Sequence, residues 1–242
     1  HLPFVMGQDN AKLSKRNGEV SIAWYRESGF LPEAICNYLA LLGWSPGDDR
    51  EDVSMSELVE LFVLERVNSS PARFDMKKLE AINGEKIRNL TLDDFLSRAL
   101  PFLLKDGVVS GKDEELTVLR QALPIIQERI ARMNEVSAML KFLFTDEISF
   151  DQEASAALSN EQAKAVIAKS LEVLQGVDDW SHGAIEAKLR EALIDQMALK
   201  PRLAFSPVRI AVTGSHISPP LFESMELLGK QRCISRLNAA VS

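Results

Sequence analysis

The sequence predicts an all-α protein. Apolar residues recur at helical spacing along most of its 242 residues. Helix-start signals precede several of these runs, such as Ser54 followed by Glu57 in a capping-box spacing, and Ser181. Strand signals are sparse, since only VSIAWY (20–25) and VRIAVTG (208–214) cluster β-branched residues, and both runs are short. Helices are therefore expected to form almost all of the fold.

Apolar stripes and terminal signals place the predicted helices in order along the chain. Pro32 opens the first helix and Gly43 ends it. A long helical pattern runs from residue 113 to 144, and Pro124 is expected to end or kink it, because the ring removes a backbone N–H and clashes with the preceding turn. Further helices are predicted to begin at Ser54, Thr91, Ser159, Ser181 and Pro220, and the last to run from Lys230 to Val241.

Composition indicates a soluble globular protein, with 46% hydrophobic and 26% charged residues. No apolar run approaches the ~20 residues that cross a bilayer, and no secretory signal begins the chain, so we predict a cytoplasmic protein without a membrane partner. Cys36 and Cys233 lie far apart, and neither belongs to a CxxC or Cys/His cluster. Neither a disulfide framework nor a metal site is predicted, and Cys36 is expected to be buried on its helix.

The charge of the chain is unevenly distributed. The formal net charge is −7, which by itself disfavours a nucleic-acid partner. The last stretch, residues 200–242, nevertheless holds six Lys or Arg against two Asp or Glu. A local basic face matters more for RNA contact than the global sum, so the tail permits RNA binding; an ordinary surface fluctuation explains it equally well.

A short basic loop near the start of the sequence is suited to binding phosphate. Lys12, Ser14 and Lys15 lie in the run KLSKR, which Asn17 and Gly18 follow. The lysines supply mobile positive charges, while the hydroxyl and the backbone N–H groups supply directed hydrogen bonds. The run predicts a polyphosphate clamp, although a basic loop taken alone is more often solvated surface.

Three segments, in order, identify a family. The run GQDNAKLSKRNGEVSIAWYRESGFLPEAICNYLALLGW (7–44) resembles the KMSKS loop and adjoining helix of bacterial glutamyl-tRNA synthetases, and KLSKR is the form usual among them. VNSSPARFDMKKLEAING (67–84) and PVRIAVTGSHISPPLFESMELLG (207–229) resemble that family's downstream region. Three ordered matches spanning nearly the whole chain are far more specific than one loop.

The resemblance implies an ATP-dependent ligase that attaches glutamate to tRNA(Glu) in two steps. Lys12 and Lys15 match the motif's two lysines and would neutralise charge developing on the ATP phosphates, and Ser14 would hydrogen-bond to them. In the family a Rossmann-type domain with a HIGH motif precedes this loop, and no HIGH sequence occurs in these residues. We therefore expect ATP, with Mg in the full-length enzyme, but no cofactor bound to this portion and no aminoacylation by it alone.

The resemblance also implies the architecture and the tRNA contacts. Residues 1–70 would form the KMSKS loop and a helical stem-contact region, followed by a two-part α-helical anticodon-binding domain, 71–148 and 149–242. Arg129 matches an arginine that inspects the third anticodon base. The residues matching the loop that packs against anticodon bases are Arg209, Thr213, Ser218, Pro219, Pro220 and Leu221.

The role implied for Arg129 can be argued physically. Cytosine at the third anticodon position, as in glutamate tRNAs, presents a ring nitrogen and a carbonyl as acceptors to the guanidinium. Guanine, as in glutamine tRNAs, presents N–H donors and would leave the charge unpaired, so one contact discriminates by ~1–3 kcal/mol. The alternative reading is an exposed helix residue, or one paired with Glu128 or Glu135.

Other functions remain open at this point. A stand-alone RNA-binding or adaptor protein descended from a synthetase would share these motifs, whereas a purely structural helical protein would have no RNA affinity. A glutaminyl synthetase is disfavoured because its anticodon region is a pair of β-barrels. A monomer is expected, and whether tRNA(Gln) is also a substrate is left open.

Overall fold

The structure, a computed structural model, describes residues 5–7, 13, 21–68 and 70–241. Within that part of the chain it contains thirteen α-helices and a single two-stranded parallel sheet, in which β1 (Val5–Met6) pairs with β2 (Ala72–Arg73). The prediction of an all-α fold is confirmed. The chain divides into two compact units: an N-terminal unit of residues 1–102 and 127–136, and a C-terminal unit of residues 103–126 and 137–242.

The N-terminal unit is built around helices that begin at the predicted residues. Pro32 occupies the first turn of its helix, and Ser54 and Glu57 form the capping box. Tyr38 lies in the core and packs edge-on against Phe74, and its hydroxyl accepts the Asp75 N–H. The helices of this unit are α1 (Ile22–Glu27), α2 (Pro32–Leu41), α3 (Met55–Leu61), α4 (Met76–Arg88) and the greater part of α5 (Leu92–Lys105).

One short strand signal in this unit does not form a strand, and one expectation for it is wrong. The described part of the VSIAWY run is helical, because Ser21 caps α1 by accepting the Trp24 N–H, and Tyr25 of that helix packs edge-on against Phe30. Tertiary packing of the aromatic rings therefore overrides the local β-propensity. Cys36 is exposed rather than buried, since α2 turns Ala34 and Tyr38 toward the core instead.

The C-terminal unit packs α9 against α11 and α13, and α10 against α12. Its side chains on those faces are fully buried, as Val166, Ile167 and Val208 illustrate. The helices are α6 (Asp113–Gln127), α7 (Glu135–Phe144), α8 (Gln152–Leu158), α9 (Glu161–Gln175), α10 (His182–Arg190), α11 (Pro201–Thr213), α12 (Leu221–Leu228) and α13 (Lys230–Val241), and a π-helical segment, Glu191–Gln196, continues α10.

Three local expectations for the later helices need correction. The short strand signal VRIAVTG is helical up to Thr213, where α11 ends, and Val208, Ile210 and Val212 are core residues of that helix. Pro124 does not end its helix, which continues to Gln127. The side chain that caps α9 is that of the residue after Ser159, Asn160, which accepts the Ala163 N–H.

Ala198 adopts a left-handed backbone conformation. Its φ is +54°, the one non-glycine positive φ among the described residues, and it follows the π-helical segment. This conformation costs an L-residue roughly 1–2 kcal/mol, which glycine avoids while losing some chain entropy on folding. We expect Ala198→Gly to raise the free energy of unfolding by about 1 kcal/mol, measured by urea denaturation. Ala187→Gly on exposed α10 should instead lower it by about 1 kcal/mol, and losses from both would contradict the assignment of strain.

Candidate nucleic-acid interface

The structure does not describe the basic residues of the loop on which the family resemblance partly rests. Lys12, Ser14, Lys15 and Arg16 lie outside the residues that the structure describes. The geometry of the candidate site is therefore that of the residues predicted to contact the anticodon, all of which are described.

Most of the predicted anticodon residues lie together between α11 and α12. The Arg209 guanidinium donates through Nη1 to Ser218 Oγ at 2.6 Å and to the Pro219 carbonyl at 2.8 Å. Thr213 Oγ1 donates to the Arg209 carbonyl at 2.8 Å and lies 3.2 Å from the Ser215 carbonyl. The sequence prediction grouped these residues by family likeness, and the structure brings them into one hydrogen-bonded loop.

The start and end of this loop explain its shape. Gly214 ends α11 with φ +78° and donates its N–H to the Ile210 carbonyl at 2.7 Å. A side chain there would collide with Ile148, whose Cγ2 lies 2.5 Å from the position of a Cβ. Pro220 is the N-cap of α12, where its lack of an N–H costs nothing.

Exposure differs sharply among the loop side chains. Ser218 is 8% exposed and Leu221 is 3% exposed, so at these positions a ligand would contact mainly the main chain rather than the side chains. Pro220 is half-buried, and Ile217 is 74% exposed. Ile217 was missed by the sequence reasoning; an isoleucine amid Ser and His on a turn was the available signal.

Arg129 lies in the other unit, on the turn that follows α6. This turn is held by main-chain and amide contacts. Gln127 donates its amide to the carbonyls of Ile87 and Leu90, each at 2.9 Å, at the end of α4. The buried Asn83 side chain accepts the Leu31 N–H at 2.7 Å and donates to the Ala131 carbonyl.

A glycine completes the support of this turn. The Met133 N–H donates to the Gly29 carbonyl at 2.9 Å, and Gly29 has φ +84°. The turn from residue 128 to 134 is therefore fixed at its start, middle and end. Its position depends on residues up to about 100 positions earlier in the chain, which no local pattern could reveal.

The Arg129 side chain projects from this fixed turn. It is exposed, and within the described part of the chain it makes no ion pair. The proposed partner Glu135 instead binds Arg132 at 3.4 Å, and Arg132 also lies 3.7 Å from Glu80. Arg129 is therefore an exposed residue of a turn rather than of a helix, and within the described residues it pairs with neither Glu128 nor Glu135.

Two further arginines, which the sequence reasoning did not single out, organise the C-terminal unit. Arg236 is 5% exposed and donates to the carbonyls of Val212 at 2.7 Å and Phe142 at 2.8 Å, and also to that of Thr145. Arg232 donates to the carbonyls of Leu143 and Thr145, each at 2.7 Å. Their i, i+4 spacing on the buried face of α13 was the available signal.

These two arginines neutralise the carboxyl end of α7. Burial, together with the charge of Arg232, lowers the pKa of Arg236 to about 10, so the group stays protonated at neutral pH. Because Arg236 bonds carbonyls of both α7 and α11, it joins the ends of those two helices. We call this arrangement the carbonyl clamp.

No group of three or more His, Cys, Asp or Glu side chains in the described residues could hold a metal ion. None of the helices in this part is both long and apolar enough to cross a bilayer.

Comparison with family models gives two matches. The model described as "Anticodon binding domain" matches residues 94–241. The model described as "tRNA synthetases class I (E and Q), catalytic domain" matches residues 1–81. The first covers more than half of the chain.

Curated relatives and solved structures agree with these matches. A glutamate–tRNA ligase of Nocardioides sp. is 49% identical over 245 residues, covering 100% of this chain and 50% of that protein. One from Saccharopolyspora erythraea is 46% identical and covers 99% of this chain and 48% of that protein. The crystal structure of a glutamate tRNA ligase from Elizabethkingia meningosepticum in complex with its amino acid has a TM-score of 0.81 at 27% identity, covering 100% of this chain and 50% of that one.

The chain thus spans about half the length of the curated relatives it matches. The resemblance inferred from the KLSKR run and the two later segments is confirmed. The chain belongs to the anticodon-binding domain family, whose model matches more than half of its residues.

Proposed function

We propose that this chain binds tRNA(Glu) through its anticodon arm, as part of an ATP-dependent ligase that attaches glutamate to that tRNA. The observation that supports the proposal most strongly is the loop in which Arg209 holds Ser218 and Pro219. Hydrogen bonds hold the main chain of that loop, and the side chain of Ile217 is exposed in it. Unstacked RNA bases can contact both the polar main-chain groups and this apolar side chain.

The loop is prepared for binding by its internal hydrogen bonds. Because Arg209 and Thr213 already fix the backbone, little chain entropy would be lost when a base is bound. Because the side chains of Ser218 and Leu221 are buried, the main chain would provide the contacts at these positions. Thr213, Pro219 and Pro220 are proposed to shape this surface.

Arg129 is proposed to read the third anticodon base. Its guanidinium is exposed and makes no ion pair within the described residues, so its donors are available to an acceptor pair on cytosine. Its turn is fixed by Asn83 and Gln127, so that the side chain starts from a defined position.

The functional parts are proposed as 1–70 for the KMSKS loop and stem contacts, and 71–148 and 149–242 for the two anticodon subdomains. Lys12, Ser14 and Lys15 are proposed to bind the ATP phosphates, with Mg, in the complete enzyme. We expect the 242 residues by themselves, which contain no HIGH sequence, not to aminoacylate. A cytoplasmic monomer is the proposed working form.

The test is a titration of the chain with a tRNA(Glu) transcript and with the same transcript carrying guanine at the third anticodon position. We expect cytosine to be preferred by about 5- to 150-fold, since one good bidentate contact discriminates by ~1–3 kcal/mol. Arg129→Gln should reduce that preference, because the neutral amide accepts as readily as it donates. Fluorescence anisotropy over a salt series measures both the affinity and its ionic component.

Arg132→Gln is the matched control, since it removes an equal charge from the same turn but one that Glu80 and Glu135 already neutralise. It should leave the preference intact. Negligible binding of both transcripts by the unaltered chain would overturn the proposal as a whole, whereas an unchanged preference in Arg129→Gln would remove only that residue from recognition.

A further inference from the structure

A surface pocket of about 190 Å³ lies beside the Arg209–Ser218 loop in the C-terminal unit. One wall is the carboxyl end of α7, with Ala138, Lys141 and Phe142, and the other is the turn that ends α11, with Thr213 and Gly214. The loop from residue 147 to 149 closes one side. Thr213 therefore belongs both to this pocket and to the hydrogen bonds of the proposed anticodon loop.

The two walls are fixed against each other. Arg236, in the carbonyl clamp, donates to Phe142 of one wall and to Val212, next to Thr213, of the other. Gly214 and Ile148 approach so closely that a Cβ at Gly214 would lie 2.5 Å from the Ile148 Cγ2. The pocket is thus a built feature of the packed unit rather than a gap between loosely held loops.

The pocket is lined by both apolar and polar side chains. Phe142 and Ile148 supply the apolar surface, and the hydroxyl of Thr145 donates to the Lys141 carbonyl at 2.9 Å, which leaves its lone pairs as acceptors. Ser149 is exposed, and within the described residues its hydroxyl has no hydrogen-bond partner. These hydroxyl groups can form hydrogen bonds with the amino and carbonyl groups of a nucleobase.

Two lining side chains of opposite charge limit the kinds of ligand that the pocket can bind. Lys141 and Glu147 are both exposed, and neither makes an ion pair within the described part of the chain. A free phosphate would be attracted by Lys141 but repelled by Glu147. A nucleotide satisfies both, because its phosphate can pair with the ammonium while a base amino group donates to the carboxylate.

We propose that this pocket receives one unstacked nucleotide of the bound RNA loop, with the base between the α7 end and the Thr213–Gly214 turn and its phosphate against Lys141. The proposal rests on the proposed function and adds a second contact region to it. The volume exceeds by more than tenfold the ~10–15 Å³ that one water requires, so a ring of nucleobase size can enter.

The test uses two variants of exposed α7 residues in the full chain, titrated with the tRNA(Glu) transcript. Lys141→Met removes the phosphate partner and should weaken binding severalfold and make the slope of log K against log salt shallower by about 0.7. Ala138→Leu keeps a helix-forming residue but fills the pocket, and should weaken binding about 5- to 150-fold, the range of losing one base contact.

Each variant has a matched control. Lys164→Met on α9 removes the same charge, and Ala187→Leu on α10 adds the same apolar volume at an exposed helical position outside the pocket. Both should bind within about twofold of the unaltered chain. Thermal unfolding of all four should coincide within a few degrees, because the altered side chains are exposed.

The outcomes separate this proposal from the proposed function. If Lys141→Met and Ala138→Leu bind like their controls while Arg209→Gln loses affinity, the pocket proposal is overturned and anticodon binding stands. If the unaltered chain does not bind the transcript, both are overturned. Loss of affinity in both pocket variants with normal controls supports the nucleotide site.

Discussion

Gly29→Ala is expected to destabilise the N-terminal unit by about 3–5 kcal/mol. Gly29 has φ +84°, and a Cβ there would lie 2.4 Å from the backbone nitrogen of Asn134 and 2.6 Å from that of Met133. The colliding atoms are main chain, so no rotamer change relieves the contact. The turn from residue 128 to 134 would have to move, with loss of the Met133-to-Gly29 hydrogen bond. Urea denaturation followed by circular dichroism measures the loss.

Gly107→Ala provides the comparison. Gly107 has φ +66°, but no atom lies within 4 Å of the position that a Cβ would take, so only the conformational cost of roughly 1 kcal/mol applies. A similar loss in the two variants would show that the backbone conformation, rather than the close approach, accounts for the Gly29 effect. Because the same turn bears Arg129, Gly29→Ala should also reduce the preference for cytosine at the third anticodon position.

Arg236→Met is expected to lower the free energy of unfolding by about 2–4 kcal/mol. The methionine preserves much of the apolar stem but leaves the Val212 and Phe142 carbonyls without their donors. Removing a buried charge can by itself be favourable, but within the described residues no carboxylate pairs with Arg236, so no opposite charge is released from burial. The cost of the unpaired carbonyls should therefore dominate.

Arg232→Met is the matched change on the same face of α13. Arg232 is only half-buried and its bonds reach α7 alone, so a loss of about 1 kcal/mol is expected. The difference between the two variants, read from denaturation midpoints at constant m-value, isolates the link between α7 and α11. An Arg236→Met chain as stable as the unaltered one would show that apolar packing holds those helix ends.

The sequence predicted helix existence better than helix bounds. The last helix, Lys230–Val241, and the capping box at Ser54 follow from short-range rules, and both are confirmed. The β-branched run at 208–212 gave only a short strand signal, and it lies in a helix whose face toward the core is fully buried. Pro124 was expected to end or kink its helix, but the helix continues to Gln127, because packing of the buried Leu123 and Ile126 outweighs the loss of one backbone hydrogen bond.

The residues of the candidate site could be predicted from the resemblance to a known family, but not from the physical properties of the residues alone. Arg209 and Ser218 are nine residues apart, and only the left-handed turn at Gly214 brings their side chains together. Asn83 and Ala131 are 48 positions apart, and their hydrogen bond fixes the Arg129 turn without any sequence signal. Contacts between residues so far apart in sequence can be identified only from the folded structure, since the local sequence pattern carries no information about them.

The carbonyl clamp has a consequence for acid conditions. Acid unfolds proteins chiefly by protonating carboxylates that are paired in the native state. The clamp's acceptors are main-chain oxygens of Val212, Phe142, Leu143 and Thr145, which do not titrate, and Arg236, whose pKa is about 10, stays charged at acidic pH. The junction of α7, α11 and α13 is therefore bound by hydrogen bonds that proton uptake does not weaken, and loss of structure in acid should begin elsewhere in the chain.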